Sequence, residues 1–143
     1  MDRAELRSLL AQHRLAVISS LGSNGAPQSA LVGIAIGPNH EIVFDTLKTS
    51  RKYANLSFQP RCSIVMGWSG EQTIQFEGNA ELPVGPELER WREVYFAAWP
   101  EGRAHLSWPD IVHFVVRPVW IRYSDYDRVP AFIEEFEFGG CEG

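Results

Sequence analysis

Phe44-Asp45-Thr46-Leu47-Lys48-Thr49-Ser50-Arg51-Lys52-Tyr53-Ala54-Asn55-Leu56 carries an apolar strand-forming run into a hydroxyl-rich turn and then into a helix that opens on two cations. The first N–H groups of a helix lack backbone partners, and the aligned peptide dipoles leave partial positive charge there. A phosphate satisfies both. Thr49 or Ser50 suits the N-cap, whereas Arg51 and Lys52 oppose the dipole in the first turn. Two readings fit this pattern: an anion site that explains the misplaced cations, or an ordinary capped helix with two solvated side chains.

On either side of this junction the chain reads as strands. Leu15–Leu21 has strand composition, and Gly22-Ser23-Asn24-Gly25 tolerates the positive φ of a hairpin turn. Pro27 opens a second strand that continues from Ser29 to Ile36, and Gly37-Pro38-Asn39-His40 turns the chain into a third, Glu41–Thr46. Three strands in series predict an antiparallel meander. Beyond the helix from Ser50 to about Phe58, Arg61–Trp68 reads as a fourth strand, with Ser69-Gly70-Glu71 as its turn. Gln72–Ala80 alternates polar and apolar residues with period two. Ile111–Val116 and Val119–Tyr123 form a last long strand interrupted at Pro118. Helical spacing of Leu6, Leu9 and Leu10 predicts an amphipathic lid over Asp2–Gln12, and Leu88, Trp91, Val94 and Tyr95 predict a helix over Glu87–Ala98. The apolar residues from Pro130 to Phe138 must pack somewhere. These elements predict one domain over residues 1–143, mainly β, as a six-stranded antiparallel barrel with peripheral helices and no exposed edges.

Composition narrows the function classes. At 143 residues and 45% hydrophobic content the chain suffices for one core. A net charge of −5, without basic runs interleaved with aromatics, argues against nucleic-acid binding. No apolar run approaches the roughly 20 residues that span a bilayer, and Met1–Arg14 is unlike a signal peptide, so a cytoplasmic protein is expected. Cys62 reads as a core residue and Cys141 as tail. His13, His40, His105 and His113 lack metal-site spacing and are expected to be satisfied or exposed; no metal is assigned. Gly67-Trp68-Ser69-Gly70 lacks nucleophile-elbow spacing, and Glu134, Glu135 and Glu137 read as a solvated face. No catalytic residue is assigned. The tryptophans read as core or interface, with Trp120 on the last strand the one that invites a further role.

Phe44-Asp45-Thr46, followed at fixed distance by Ser50-Arg51-Lys52 and Leu56, resembles the flavin-phosphate motif of the pyridoxamine 5′-phosphate oxidase-like, FMN-binding split-barrel superfamily. The resemblance extends from Leu15 to Tyr123, through Gly25, Pro27, Ala30-Leu31-Val32, Gln75–Ala80 and Val116-Arg117-Pro118. It implies a Greek-key-like split barrel and an FMN-dependent oxidoreductase acting on a small molecule. Arg51 and Lys52 would bind the FMN phosphate with help from the Ser50 hydroxyl. Asp45 and Thr46 would lie beside the ribityl chain and ring, backbone groups of Ala30, Leu31 and Val32 would line the isoalloxazine, and Thr73 falls where the oxidases place a glutamine. A homodimer with the cofactor at the subunit interface is implied. Ala30 and Ala35 replace an arginine and a lysine of the true oxidases, and Arg128-Val129-Pro130 lacks their Arg-x-His pair. The chain is thus more similar to the small stress-protein-like and deazaflavin-using branches. The alternatives are a deazaflavin-dependent reductase or a protein that binds flavin or haem without turnover.

Overall fold

Asp2 caps the first helix, α1 (Arg3–Leu10), by accepting from the Glu5 N–H at 2.8 Å while Glu5 Oε1 accepts from the Asp2 N–H at 2.9 Å. This reciprocal box satisfies two donors that a helix start otherwise strands. The computed structural model describes residues 1–139, so Cys141 lies outside the described residues. After α1 come β1 (Leu15–Leu21), β2 (Pro27–Gly33), β3 (Ala35–Ile36) and β4 (Ile42–Leu47), then α2 (Arg51–Phe58), β5 (Arg61–Met66) and β6 (Gln72–Glu81). The chain continues through α3 (Gly85–Ala98), a 3₁₀ segment (Pro100–Ser107), β7 (Ile111–Asp125) and β8 (Phe132–Glu137). Among the described residues no helix is long and apolar enough to cross a membrane.

All eight strands join one antiparallel sheet, ordered β2-β1-β5-β6-β7-β4-β3, with β8 on the distal half of β7. The sheet curls, bringing β2 near β4, and encloses a core in which strand alternation is directly legible. Ala16 and Ile18 of β1, Phe44 of β4, Ile64 and Met66 of β5, and Ile74 and Phe76 of β6 point inward, with Leu6 and Leu10 of α1 and Leu56 of α2 closing over them. Along β7 the inward set changes parity: Phe114 and Val116 face the core before Pro118, and Ile121 and Tyr123 face it afterwards. The shift follows from a bulge, since Glu77 pairs with Trp120 but Gly78 pairs with Pro118, leaving Val119 unmatched. A second, smaller core lies outside the sheet, where Trp91, Tyr95 and Phe96 of α3 pack on Ala35, Val43 and Val115.

The mainly β, antiparallel split-barrel class is as the sequence implies, but the described residues form eight strands instead of six, and the sheet is open, with β2 and β3 as edges in place of the edgeless closure expected. Ser29–Ile36 is not one strand. The chain bends at Ile34, whose carbonyl accepts from Trp99 Nε1 at 2.9 Å and whose N–H donates to Arg14 O at 2.9 Å. A Cβ on Gly33 would come within 2.8 Å of the Trp99 ring, so the bend needs glycine there. As a result β2 and β3 sit at opposite ends of the strand order, and the expected meander breaks into two hairpins. The other added strand is β8, which places Phe136 in the core and gives the apolar tail residues their packing. Pro118 does not interrupt β7, because the bulge absorbs it.

Candidate functional site

The β4–α2 junction is built as its residue types predict. Ser50 is the N-cap of α2, with extended backbone, and its hydroxyl accepts from the Tyr53 N–H at 3.2 Å. The same oxygen accepts from the buried Thr46 hydroxyl at 2.9 Å, so two expected site residues hold each other. Both lone pairs of Ser50 Oγ are used in shaping the turn. The first turn of α2 contains no acidic residue, and Arg51 and Lys52 occupy it.

These two cations open onto a cavity of about 250 Å³ between α2 and the β1–β2 hairpin, lined by Ile18, Ser20, Gln28, Ala30, Arg51, Lys52 and Asn55, with Ser29 at its edge. The floor is polar and ordered. The Asn55 side-chain amide donates to Ser20 Oγ at 3.0 Å and to Gln28 Oε1 at 2.9 Å, although Asn55 is only 8% exposed. Burial lowers the Lys52 pKa, and the negative charge of Asp45 partly opposes that shift. Of the thirteen cationic side chains, Lys48, Arg51, Lys52 and Arg61 have no carboxylate or carbonyl partner among the described residues. Three of these four flank one turn. Here the fold concentrates cationic charge and hydrogen-bond donors with no carboxylate in ion-pair contact with Arg51 or Lys52 among the described residues, Asp45 acting on Lys52 only at a distance, and the chemistry this permits is capture of a compact dianion.

Ala30, Arg51 and Lys52 therefore come together, with Ser50 and Thr46 supporting the turn behind them. Val32 is buried farther along β2, and Leu31 points outward and is 62% exposed. Thr73 lies on β6 opposite Ser124, away from the cavity. Asp45 faces the other side of β4 from Thr46. Its Oδ2 meets His105 Nδ1 at 2.8 Å, and its Oδ1 accepts from the Tyr95 hydroxyl at 3.2 Å. His105 stacks on Trp108 with centroids 4.0 Å apart.

Ser20, Gln28, Ser29 and Asn55 join the site beyond the residues expected from sequence. Asn55 had a signal, since it lies four residues after Arg51 and so shares its helical face. Ser20 and Gln28 pair across β1–β2 and both point inward, which becomes readable only once hairpin register is known. Among the other expectations, Cys62 is partly buried at the margin of the core, and desolvation pushes its thiol up to about 12. Trp120 donates to Glu135 Oε1 at 3.0 Å on the outer face of the sheet. His40 is satisfied by Arg3 O at 2.8 Å, but His113 is neither satisfied nor exposed: neither ring nitrogen has a partner. The described residues contain no group of three or more side chains placed to hold a metal.

Comparison with known proteins follows the same lines. The family model described as pyridoxamine 5′-phosphate oxidase matches residues 3–125. Among curated proteins no sequence match is found. Solved structures that match include a heme binding protein from Mycobacterium smegmatis, with a TM-score of 0.80 and 20% identity over 93% of this chain and 56% of that one. A pyridoxamine 5′-phosphate oxidase-related, FMN binding protein from Nostoc punctiforme matches with a TM-score of 0.72 and 13% identity, over 99% and 89% of the two chains. The General Stress Protein 26 from Bacillus anthracis matches at 0.71 and 18%, over 96% and 100%. The chain thus spans little more than half the length of the mycobacterial protein, and at these identities the likeness establishes the fold.

Proposed function

This chain belongs to the pyridoxamine 5′-phosphate oxidase family, and on that premise we propose that it is an FMN-binding oxidoreductase acting on a small organic molecule, with the phosphate held by Arg51 and Lys52 at the start of α2. The observation that carries the reading is the pair of unpartnered cations over a cavity floored by Ser20, Gln28 and Asn55. A phosphate ester fits that donor set: Arg51 presents a bidentate fork, Lys52 a point charge, and the α2 N-terminus its dipole. FMN, when bound, supplies the redox chemistry. The chain's own contribution is to bind and orient. Ser50 and Thr46 keep the turn in shape, and the backbone of Ala30, Leu31 and Val32 lies along the strand next to the cavity.

Ala30 and Ala35 argue against vitamin B6 phosphate as substrate, because neither offers a cation for a second phosphate. The outer face of β2, β1 and β5 carries exposed Leu31, Leu15 and Val65, an apolar strip that supports a homodimer with the cofactor between subunits. A deazaflavin shares the ring and phosphate of FMN and would use the same anchor. The absorption spectrum of the purified protein separates the two cofactors.

The anchor is tested by titrating FMN and riboflavin into wild type and Arg51→Ala. Loss of a charge-assisted hydrogen bond is expected to weaken FMN binding by about 1.5–3 kcal/mol, roughly ten- to a hundredfold. Riboflavin, which has no phosphate, is expected to bind both proteins alike. An unchanged FMN affinity in Arg51→Ala would overturn the assignment.

A further inference from the structure

His113 is 1% exposed on the outer face of β7, between the sheet and α3. Tyr95 and Phe96 of α3 pack against its ring in T-shaped arrangements, with centroids at 5.4 and 5.7 Å and interplanar angles of 69° and 87°. Neither Nδ1 nor Nε2 has a hydrogen-bond partner. A buried imidazole without a partner is costly, and natural cores seldom keep one without consequence. Its cross-strand partner on β4 is Asp45, which makes no hydrogen bond to the ring and whose two oxygens each engage another group, one the Tyr95 hydroxyl and the other His105 Nδ1. From α3 the facing charge is the Arg92 cation, whose Nε is also buried and unpartnered. From the 3₁₀ segment the facing group is His105. An imidazolium at this position would therefore be walled in by two aromatic rings and meet a second buried donor and a carboxylate already engaged by Tyr95 and His105.

We propose that His113 makes α3 and the following 3₁₀ segment an acid-released cover: protonation of the ring undocks residues 85–107 from the outer face of β4 and β7, uncovering Asp45, Val43 and Val115. The cover packs through an apolar core of its own, and the polar ties of Trp99 Nε1 to Ile34 O, Arg14 to Ala98 O and His105 and Tyr95 to Asp45 open with it. Trp91, Tyr95 and Phe96 pack with Ala35, Val43 and Val115, whereas the barrel interior forms a different cluster. Burial holds the His113 pKa down to about 4, with Asp45 opposing the shift and Arg92 and His105 adding to it. The docked state thus excludes a proton that the undocked state binds at the ordinary histidine value. Docking is then favoured at and above neutrality and weakens as pH falls from about 6.5 towards 4. Between pH 7.5 and 5.0 the undocked population is expected to rise roughly thirtyfold.

Hydrogen exchange of the full-length protein at the two pH values, corrected for the intrinsic pH dependence of exchange, tests this. Protection across 85–107 is expected to fall about thirtyfold on acidification, while β5 and β6 keep theirs. His113→Phe, and His113→Leu as a smaller replacement, are expected to abolish the difference. His105→Gln is expected to retain it. Equal wild-type protection at both pH values, a loss spread uniformly over the sheet, or persistence of the loss in the His113 variants would overturn the proposal, as would its disappearance in His105→Gln alone. If neither His113 variant folds, the wild-type comparison still decides, because only a loss confined to 85–107 agrees with the proposal.

Discussion

Arg51 and Lys52 differ in how the fold treats them. Arg51 is exposed, whereas Lys52 is half-buried and its pKa is lowered by desolvation, with Asp45 pulling the other way. A phosphate-bearing ligand needs Lys52 charged, so its affinity is expected to weaken on the alkaline side at a pH below that of an ordinary lysine. Lys52→Arg should remove this limb, and Asp45→Asn should move it to lower pH because the opposing charge is gone. FMN titrations from neutrality to high pH check both outcomes. Another single residue on which the fold depends is Gly78, opposite the β7 bulge. A Cβ there would collide with the Arg117 carbonyl and come within 2.9 Å of Phe76 and Val116 side-chain atoms. Gly78→Ala is expected to cost about 1–3 kcal/mol, the usual scale of core overpacking. Urea unfolding measures it, and an unchanged midpoint would show that the β6–β7 pair relaxes freely.

At the scale of the element, α2 is a helix whose charges oppose its own dipole and whose cap does two jobs. Ser50→Ala removes the acceptor for the Tyr53 N–H and for the Thr46 hydroxyl together. A loss of about 1 kcal/mol in stability is expected, accompanied by weaker FMN binding because the turn is no longer held. Arg51→Ala should leave the apoprotein as stable as wild type or slightly more so, since it removes a cation from the first turn. Thermal melts of both variants without ligand distinguish a capping role from a ligand-binding one. The helix was legible from its sequence to within a residue because cap, apolar spacing and terminating Pro60 agreed. The 3₁₀ segment after α3 carried no such signature. Its position depends on Gly102 fitting beneath Tyr95 and Phe96 and on His105 reaching Asp45, contacts sixty residues apart in the latter case.

At the scale of the whole molecule, the sheet has one covered outer face and one open one. α3 covers β4 and the proximal half of β7, while the strip of Leu15, Leu31 and Val65 on the other strands has no cover among the described residues. If a second copy covers it, Leu31→Asp is expected to convert a dimer into a monomer and to weaken FMN binding as well, and light scattering at micromolar concentration reads the first effect directly. The sequence by itself determined the antiparallel β class, three helices, the alternation of β6 and the Ser50-Arg51-Lys52 turn, because each depends on periodicity or capping within a few residues. Tertiary structure alone decided the rest. The break at Ile34 needed Trp99 against Gly33, the parity change in β7 needed a bulge opposite Gly78, and the cavity floor needed the β1–β2 register that brings Ser20 and Gln28 to Asn55. Asp45 turned away from Thr46 because successive strand residues face opposite sides, and only the packing of α3 determined what lay on that side. These features are set by contacts between segments distant in sequence, and local propensity carries no information about which distant segment arrives.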